Sequence, residues 1–412
     1  MDLLKYNRHW EKGFIYNYPI HRDAFDDIVK LLSLRQIIAI TGLRRTGKSV
    51  LMYQTINYLL QELNVDRFKV LYFSFDYERL SIEQLLQEYQ KQVNIELSSE
   101  KQIFVFLDEI QKLNDFQEQI KLFYDLYPNV KFIISGSSSL FISKKVRESL
   151  AGRVFDVFLK PLSFKEYLKF VDGSYLLEKP SLYKNKIEIE FARFLKKQFI
   201  ETINFTDEQT QFYLDSIINK IIYEDIPQIF PIDNPSVLKK ILNLLAQYPG
   251  MLVNYSSLAN ELRLSNKTVS SYFEILENSF LIKMFRNFSR NLSTSDRKSK
   301  KAYLSAASFA LSLNNFLSDG LAVENYFASQ TQANFFWRDS YNHEVDFVYV
   351  DNNRLVAYEI KYKDNLKSDD YKNLAIFYNK FKPDELNVIT KILYSKTIVF
   401  RQIEVNLKPV YD

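Results

Sequence analysis

The chain of 412 residues predicts an α/β fold: a parallel sheet of strand–helix repeats, then a helical segment, a small helix-rich unit and a C-terminal mixed α/β region. Three observations predict it. Short β-branched or apolar runs alternate with helical stretches from about residue 20 to 165. A glycine loop, GLRRTGKS, lies between the first of those runs and the helix after it. Beyond a proline cluster at Pro227, Pro231 and Pro235, helices and strand-like runs mix without the regular alternation. Strands interleaved with helices are the pattern of a parallel sheet covered on both faces.

Composition narrows the function classes. Lys plus Arg number 54 against 50 Asp plus Glu, a net charge of +4, so any basic footprint for nucleic acid must be local. Apolar residues make up 47% and aromatics 16%, enough for large cores, while no apolar run reaches the roughly 18 residues of a membrane span. No membrane partner is expected. Cysteine is absent, which excludes disulfides, thiolate metal sites and a cysteine nucleophile. The three histidines, His9, His21 and His343, are scattered and argue against a poly-His metal site or a Ser/His/Asp triad. The start MDLLKYNRHW has no apolar leader, and a cytoplasmic location is the expectation.

The elements follow in order. Residues 1 to about 19 are aromatic and irregular and receive no assignment. Over 20–165 the strands are RQIIAI, KVLYFSF, QIFVFLDE, VKFIISG and VFDVFLKPL, with helices in KSVLMYQTINYLLQEL, SIEQLLQEYQKQV and FQEQIKLFYDLY. Residues 166–236 read as a helical lid and linker. Residues 237–290 read as a winged helix: VLKKILNLLAQ, SSLANEL and KTVSSYFEILENSF as three helices, capped at Ser256 and Asn266, and FLIKMFRNF as the wing. Residues 291–412 form the last region.

Glycine marks the chemistry. The chain has only eight, where average usage would give about 29, so each points to a sharp bend or a close backbone approach. Gly42, Gly47, Lys48 and Ser49 fit G-x-x-x-x-G-K-[ST] at a strand-to-helix junction, the context that motif requires. Loop residues 42–49, Thr46 among them, would turn backbone N–H groups and the helix N-terminus toward the phosphates of a nucleotide. Lys48 would neutralise β/γ oxygens and the Ser49 hydroxyl would hold Mg²⁺. Asp108 and Glu109, at the end of an apolar strand, supply the second carboxylate site: Asp108 to orient Mg²⁺ through water, Glu109 as the general base on the attacking water. In FIISGSSSL, Ser135 or Ser137 could donate to the γ-phosphate or the lytic water; a Gly-Ser turn capping a helix reads equally well. Arg153, after Gly152, could reach a γ-phosphate, including that of a neighbouring subunit in a homo-oligomer, or form a surface salt bridge.

GLRRTGKS, FLDEIQKL, SGSSSL, the Gly-Arg step and PLSFKEYL together resemble the AAA-type P-loop ATPases of bacteria and archaea that carry a C-terminal domain of unknown function, over nearly the whole chain. The resemblance implies ATP binding and hydrolysis, and makes Arg44 and Arg45 part of the signature loop, adding positive charge beside the phosphates; both could instead face solvent.

Two further sites are read from residues. Lys283, Arg286, Arg290, Arg297, Lys298, Lys300 and Lys301 form a basic stretch opposed only by Asp296, a duplex-DNA contact or else a solvated loop beside an internal interface. In the C-terminal region Glu324 lies on a helix, Asp346 in HEVDFVYV, and Glu359 with Lys361 in LVAYEIKY, where the i, i+2 spacing puts both on one strand face. Asp346 and Glu359 could share Mg²⁺ while Lys361 positions water for phosphodiester hydrolysis. This set resembles the D…E-x-K core of the PD-(D/E)XK nucleases; after KAYLS, where the family tends to carry an acid, this chain has Ala306 and Ala307. The functional expectation is a Mg²⁺-dependent ATPase coupled to DNA or to a conformational switch. An ATP-gated nuclease and a non-catalytic assembly switch are the alternatives.

Overall fold

The computed structural model describes residues 2–78, 80–136, 150–291, 299–351 and 354–411. The chain divides into two compact units, Met1–Lys160 and Pro161–Asp412.

The first unit has three layers. Its helices are α1 (Ala24–Leu31), α2 (Lys48–Gln61), α3 (Ile82–Val93) and α4 (Phe116–Leu126), and its strands β1 (Ile37–Gly42), β2 (Val70–Ser74), β3 (Ile103–Asp108), β4 (Val130–Gly136) and β5 (Val154–Leu159). The described strands form a parallel sheet in the order β2-β3-β4-β1-β5. Every residue of β1 to β4 is buried, as both faces of the sheet are covered. Ile38, Ile40, Tyr72 and Phe106 pack against α1 and α2, while Ala39, Phe73, Val105 and Phe132 pack against α3 and α4. The period of two along each strand thus divides the core into two. Because β4 lies between β1 and β3, the ends of all three strands open onto one crevice, the usual place for a ligand in such sheets.

The unassigned N-terminal segment closes an edge. β2 is the outer strand on its side, and its Tyr72 amide donates to Asn7 Oδ1 at 2.6 Å. Trp10 Nε1 donates to the Val70 carbonyl at 2.8 Å, and His9 Nε2 lies 2.9 Å from the same oxygen. A carbonyl only accepts, so the His9 proton is on Nε2 and Nδ1 accepts from the Tyr16 hydroxyl at 3.0 Å. Burial pushes the His9 pKa down to about 4, so the ring is neutral. Side chains here take the place of a sixth strand.

The second unit contains α5 (Phe164–Phe170), α6 (Lys184–Lys196), α7 (Asp207–Lys220), α8 (Ser236–Gln247), β6 (Met251–Val253), α9 (Tyr255–Leu262), α10 (Asn266–Asn278), β7 (Ile282–Asn287), β8 (Lys300–Leu304), α11 (Ala307–Leu313), α12 (Asp319–Gln330), β9 (Phe335–Arg338), β10 (Glu344–Asp351), β11 (Arg354–Ile360), α13 (Lys372–Phe381), β12 (Glu385–Thr390), β13 (Lys396–Phe400) and β14 (Ile403–Pro409). Its described strands make one nine-stranded mixed sheet, β13-β14-β12-β11-β10-β9-β7-β8-β6.

That sheet redraws the expected boundaries. β7, read as the wing of a separate unit ending at 290, pairs in parallel with β9 through Arg286↔Phe335 and Asn287↔Phe336. The segments 237–290 and 291–412 are therefore continuous through backbone hydrogen bonds. Residues 166–236, read as lid and linker, also belong to this unit: Phe199 packs on Phe309, and the Ser308 amide donates to Gln198 at 2.9 Å. Helix caps shift as well. Asn254 and Ser265, both with extended backbone, accept from the third residue on and cap α9 and α10. Ser256 and Asn266 bond to each other instead, at 3.1 Å. No helix among the described residues is long and apolar enough to cross a membrane.

Candidate functional site

In the first unit the site is built where β1, β3 and β4 end. Gly42 leaves β1 with φ 150°, and a Cβ there would meet the Leu159 carbonyl oxygen of β5 at 2.4 Å. Gly47 has φ 98° and precedes α2. Both positions exclude a side chain, one by space and conformation and the other by conformation. Between them Arg45 takes a positive φ of 67°, and the Thr46 hydroxyl donates to the Leu43 carbonyl at 2.9 Å. From behind, the buried Arg22 guanidinium donates to the Thr46 carbonyl at 2.9 Å and to the Lys160 carbonyl at 2.8 Å. Arg44 and Arg45 both make contacts within the molecule.

Lys48 is buried, and its ammonium donates to the Leu43 carbonyl at 3.0 Å and the Gly42 carbonyl at 3.3 Å, inside the loop it would serve. The Ser49 hydroxyl donates to Asp108 Oδ2 at 2.6 Å. The two residues read as Mg²⁺ partners, 59 positions apart, are thus in direct contact. A hydroxyl and a carboxylate are hard oxygen donors of the kind Mg²⁺ takes, with waters and phosphates filling its other positions, so the pair fits that ion.

The Asp108 carboxylate has further partners. Tyr72 donates to Oδ2 at 2.8 Å and in turn accepts from the Tyr53 hydroxyl at 3.1 Å. Burial, and then the negative charge of Asp108, hold the Tyr72 hydroxyl protonated far above its ordinary range. Ser135, fully buried at the end of β4, donates to Asp108 Oδ1, while its oxygen accepts from the Glu109 amide at 3.1 Å. Glu109 has left-handed backbone, φ 53° and ψ 42°, which turns its side chain away from the strand direction; Gln111 donates to its carboxylate at 2.5 Å. Of the two serines considered, Ser135 therefore sits beside the carboxylates, and Ser137 lies outside the described residues.

Arg153 is elsewhere. It precedes β5, whose Val154 aligns with Ile37 and whose Leu159 aligns with Gly42, so a whole strand, roughly 17–20 Å, separates it from the phosphate loop of its own chain. It pairs with Asp125 at 3.2 Å. Sequence reasoning missed Tyr72, Arg22 and Gln111. The alternation of KVLYFSF offered one signal: Tyr72 and Ser74 share a strand face, and Ser74 aligns with Asp108.

In the second unit Glu324, Asp346, Glu359 and Lys361 come together against α12, joined by three residues not assigned to them, Lys301, Tyr303 and Glu344. Asp346 Oδ2 accepts from the Ile360 amide at 2.8 Å, and Lys361 donates to Glu359 Oε1 at 2.7 Å. Tyr303 donates to Glu324 Oε1 at 2.6 Å. A register irregularity between Val345 and Val348 re-aims Asp346. Burial, then the charge of Asp346, pushes Glu359 up to about 8 and Glu324 up to about 7. Burial works against the charge on Lys361, yet Glu359 and Asp346 raise it on balance. Glu359 Oε2 has no hydrogen-bond partner. Among the described residues no three His, Asp or Glu side chains are disposed to hold a metal ion.

The basic stretch does not present itself as one surface. Lys283 donates to the Thr331 carbonyl at 2.7 Å, Arg290 to the Phe381 carbonyl at 2.9 Å, and Lys301 is buried. Arg297 and Lys298 lie outside the described residues.

Comparisons with known proteins agree with the first unit. Residues 34–168 match a family model described as an AAA domain, and residues 201–319 and 312–405 match two domains of unknown function (DUF8612 and DUF4143). An uncharacterized protein of Methanocaldococcus jannaschii is 28% identical over 401 residues, covering 93% of this chain and 87% of that one. An uncharacterized protein of Haemophilus influenzae is 30% identical over 253 residues, covering 60% of this chain and 61% of its own length. The Aeropyrum pernix ORC1 protein, solved in complex with DNA, overlaps 74% of this chain and 95% of its own at 12% identity and a TM-score of 0.33, too slight a likeness to argue from. With a five-stranded parallel sheet, a glycine loop feeding α2 and a match to an AAA domain, the first unit has the fold of an AAA-type P-loop nucleoside triphosphatase, and the second is a separate unit built on a mixed sheet.

Proposed function

We propose that the chain binds ATP with Mg²⁺ and hydrolyses it at the crevice formed by β1, β3 and β4. The observation that carries this reading is the Ser49–Asp108 contact at 2.6 Å, beside a loop whose glycines exclude side chains. The backbone amides of residues 42–48 and the start of α2 bind the phosphates. Lys48 exchanges its carbonyl partners for phosphate oxygens. When bound, Mg²⁺ supplies charge neutralisation across the terminal phosphates. Glu109 takes the proton of the attacking water, and Gln111 with the Ser135–Glu109 amide bond holds that carboxylate in place. The Ser49 hydroxyl can keep donating to Asp108 while a lone pair of its oxygen faces the ion, and the network that includes Tyr72 and Tyr53 would hold the pair in that arrangement. A conformational switch is favoured over a DNA-driven cycle as the output, since Lys283 and Lys301 of the basic stretch are turned inward.

The test is steady-state ATP turnover of the purified chain, with and without duplex DNA, together with nucleotide binding. Lys48→Ala is expected to lose ATP binding. Glu109→Gln is expected to keep it and to lose turnover roughly a hundred- to ten-thousand-fold. Turnover by Glu109→Gln at the parent rate overturns the base assignment. Strong stimulation by DNA that falls steeply with salt overturns the preference for a DNA-independent switch.

A further inference from the structure

We propose that Lys301 is the resident cation of the carboxylate cluster in the second unit, standing where a divalent metal would otherwise sit, so that the cluster braces β8 to β10 and does not cleave phosphodiesters. The sequence places Asp346, Glu359 and Lys361 in a pattern that implies a shared Mg²⁺, and it places Lys301 in a basic wing. The structure separates those two readings. Lys301 Nζ lies 2.5 Å from Glu344 Oε1 and 3.9 Å from Asp346 Oδ1, with its side chain only 6% exposed, and it also sits over the Phe336 ring at 5.4 Å.

The donor set is already engaged. Asp346 Oδ2 holds the Ile360 amide, Glu359 Oε1 holds Lys361, Glu324 Oε1 holds the Tyr303 hydroxyl, and Glu344 Oε2 holds Arg338 at 3.2 Å. Three cations, Lys301, Lys361 and Arg338, therefore face four carboxyl groups. A hard divalent ion takes six or more oxygens with two or more carboxylates converging on it. Here each carboxylate already has a protein partner, with Lys301 set between Glu344 and Asp346, and the single orphan oxygen, Glu359 Oε2, can be satisfied by one proton.

The span explains the residue types. In the sheet order β8 is three inter-strand spacings from β10, roughly 14 Å, a gap closed only by two long side chains meeting end to end. Lysine on β8 and glutamate on β10 provide that reach. The buried Lys301 holds one register of strands against others, since without the β10 carboxylates its ammonium would be left charged and desolvated.

The test is Mn²⁺ uptake by the full chain carrying Lys48→Ala and Asp108→Asn, which removes the phosphate loop's own affinity, followed by the electron paramagnetic resonance signal of free Mn²⁺. With Lys301 present, no Mn²⁺ is taken up at millimolar concentration and plasmid DNA is not cut. Adding Lys301→Met vacates the position, and one Mn²⁺ per chain is taken up, then lost again on adding Asp346→Asn. Uptake by the Lys301-containing protein that Asp346→Asn abolishes overturns the proposal, as does a folded Lys301→Met chain that gains no metal. Should Lys301→Met fail to fold, the Lys301-containing protein compared with its Asp346→Asn form decides the matter.

Discussion

Asp108 shows how one carboxylate is set by its neighbours. It accepts from Ser49, Tyr72 and Ser135, which arrive from α2, β2 and β4, and only the sheet order brings these elements to one point. Tyr72 has no role in phosphate chemistry by residue type, yet its hydroxyl both orients Asp108 and is oriented by Tyr53. Tyr72→Phe is expected to lower stability by about 1.5–3 kcal/mol, the range for a hydrogen bond to a charged group, and to raise the Mg²⁺ concentration needed for half-maximal turnover. Urea titration and a Mg²⁺ dependence of ATP turnover check this; no change in either would show that Tyr72 only fills space.

At the scale of elements, the edge of β2 is the clearest case of side chains doing what a strand would do. Asn7, His9 and Trp10 satisfy backbone groups of Val70 and Tyr72, and Trp10 stacks on Tyr89 of α3 at 6.0 Å. Trp10→Ala is expected to cost about 3–5 kcal/mol, as for other buried aromatics, and to bare part of a parallel-sheet edge. Denaturant unfolding should report the lost stability, and light scattering should report association near the transition. A variant as stable and monodisperse as the parent would mean that the segment merely lies on the surface. Sequence periodicity found the five strands and three of the four described helices of this unit, α2, α3 and α4, from their apolar faces, and left α1 unassigned. It could not assign residues 1–19, whose role is to pair with one particular strand end and leaves no period.

For the whole second unit, the buried carboxyl groups make stability depend on pH. Glu359 and Glu324 titrate at about 8 and about 7 in the folded chain, against an ordinary value of 4.5. Between about 4.5 and 8 the folded chain therefore binds more protons than the unfolded chain, and these two groups make stability fall as pH rises through that window. The slope from one such proton is up to about 1.4 kcal/mol per pH unit. Glu359→Gln, which cannot titrate, is expected to flatten the curve of unfolding free energy against pH relative to the parent. Parallel curves for the two proteins would place Glu359 at its ordinary value.

What the sequence by itself determined is local. GLRRTGKS at a strand-to-helix junction, the Asp-Glu pair closing QIFVFLDE, and the two strand-face carboxylates of the last region are read from residue types and short spacings. Conformation and chemistry at those positions are dictated within a few residues, by glycine's freedom at Gly42 and Gly47 or by the period of a strand. Only the tertiary structure decided which distant groups meet. It put Ser135 and Tyr72 on Asp108, sent Arg153 to the far end of its strand, and joined the expected wing to the C-terminal sheet. It also moved Lys301 from a basic run into the carboxylate cluster. The physical reason is that strand order and helix packing are set by which apolar faces bury one another across the chain. A charged side chain on such an element goes where burial of its neighbours takes it, and its partner is then whatever opposite charge lies within reach.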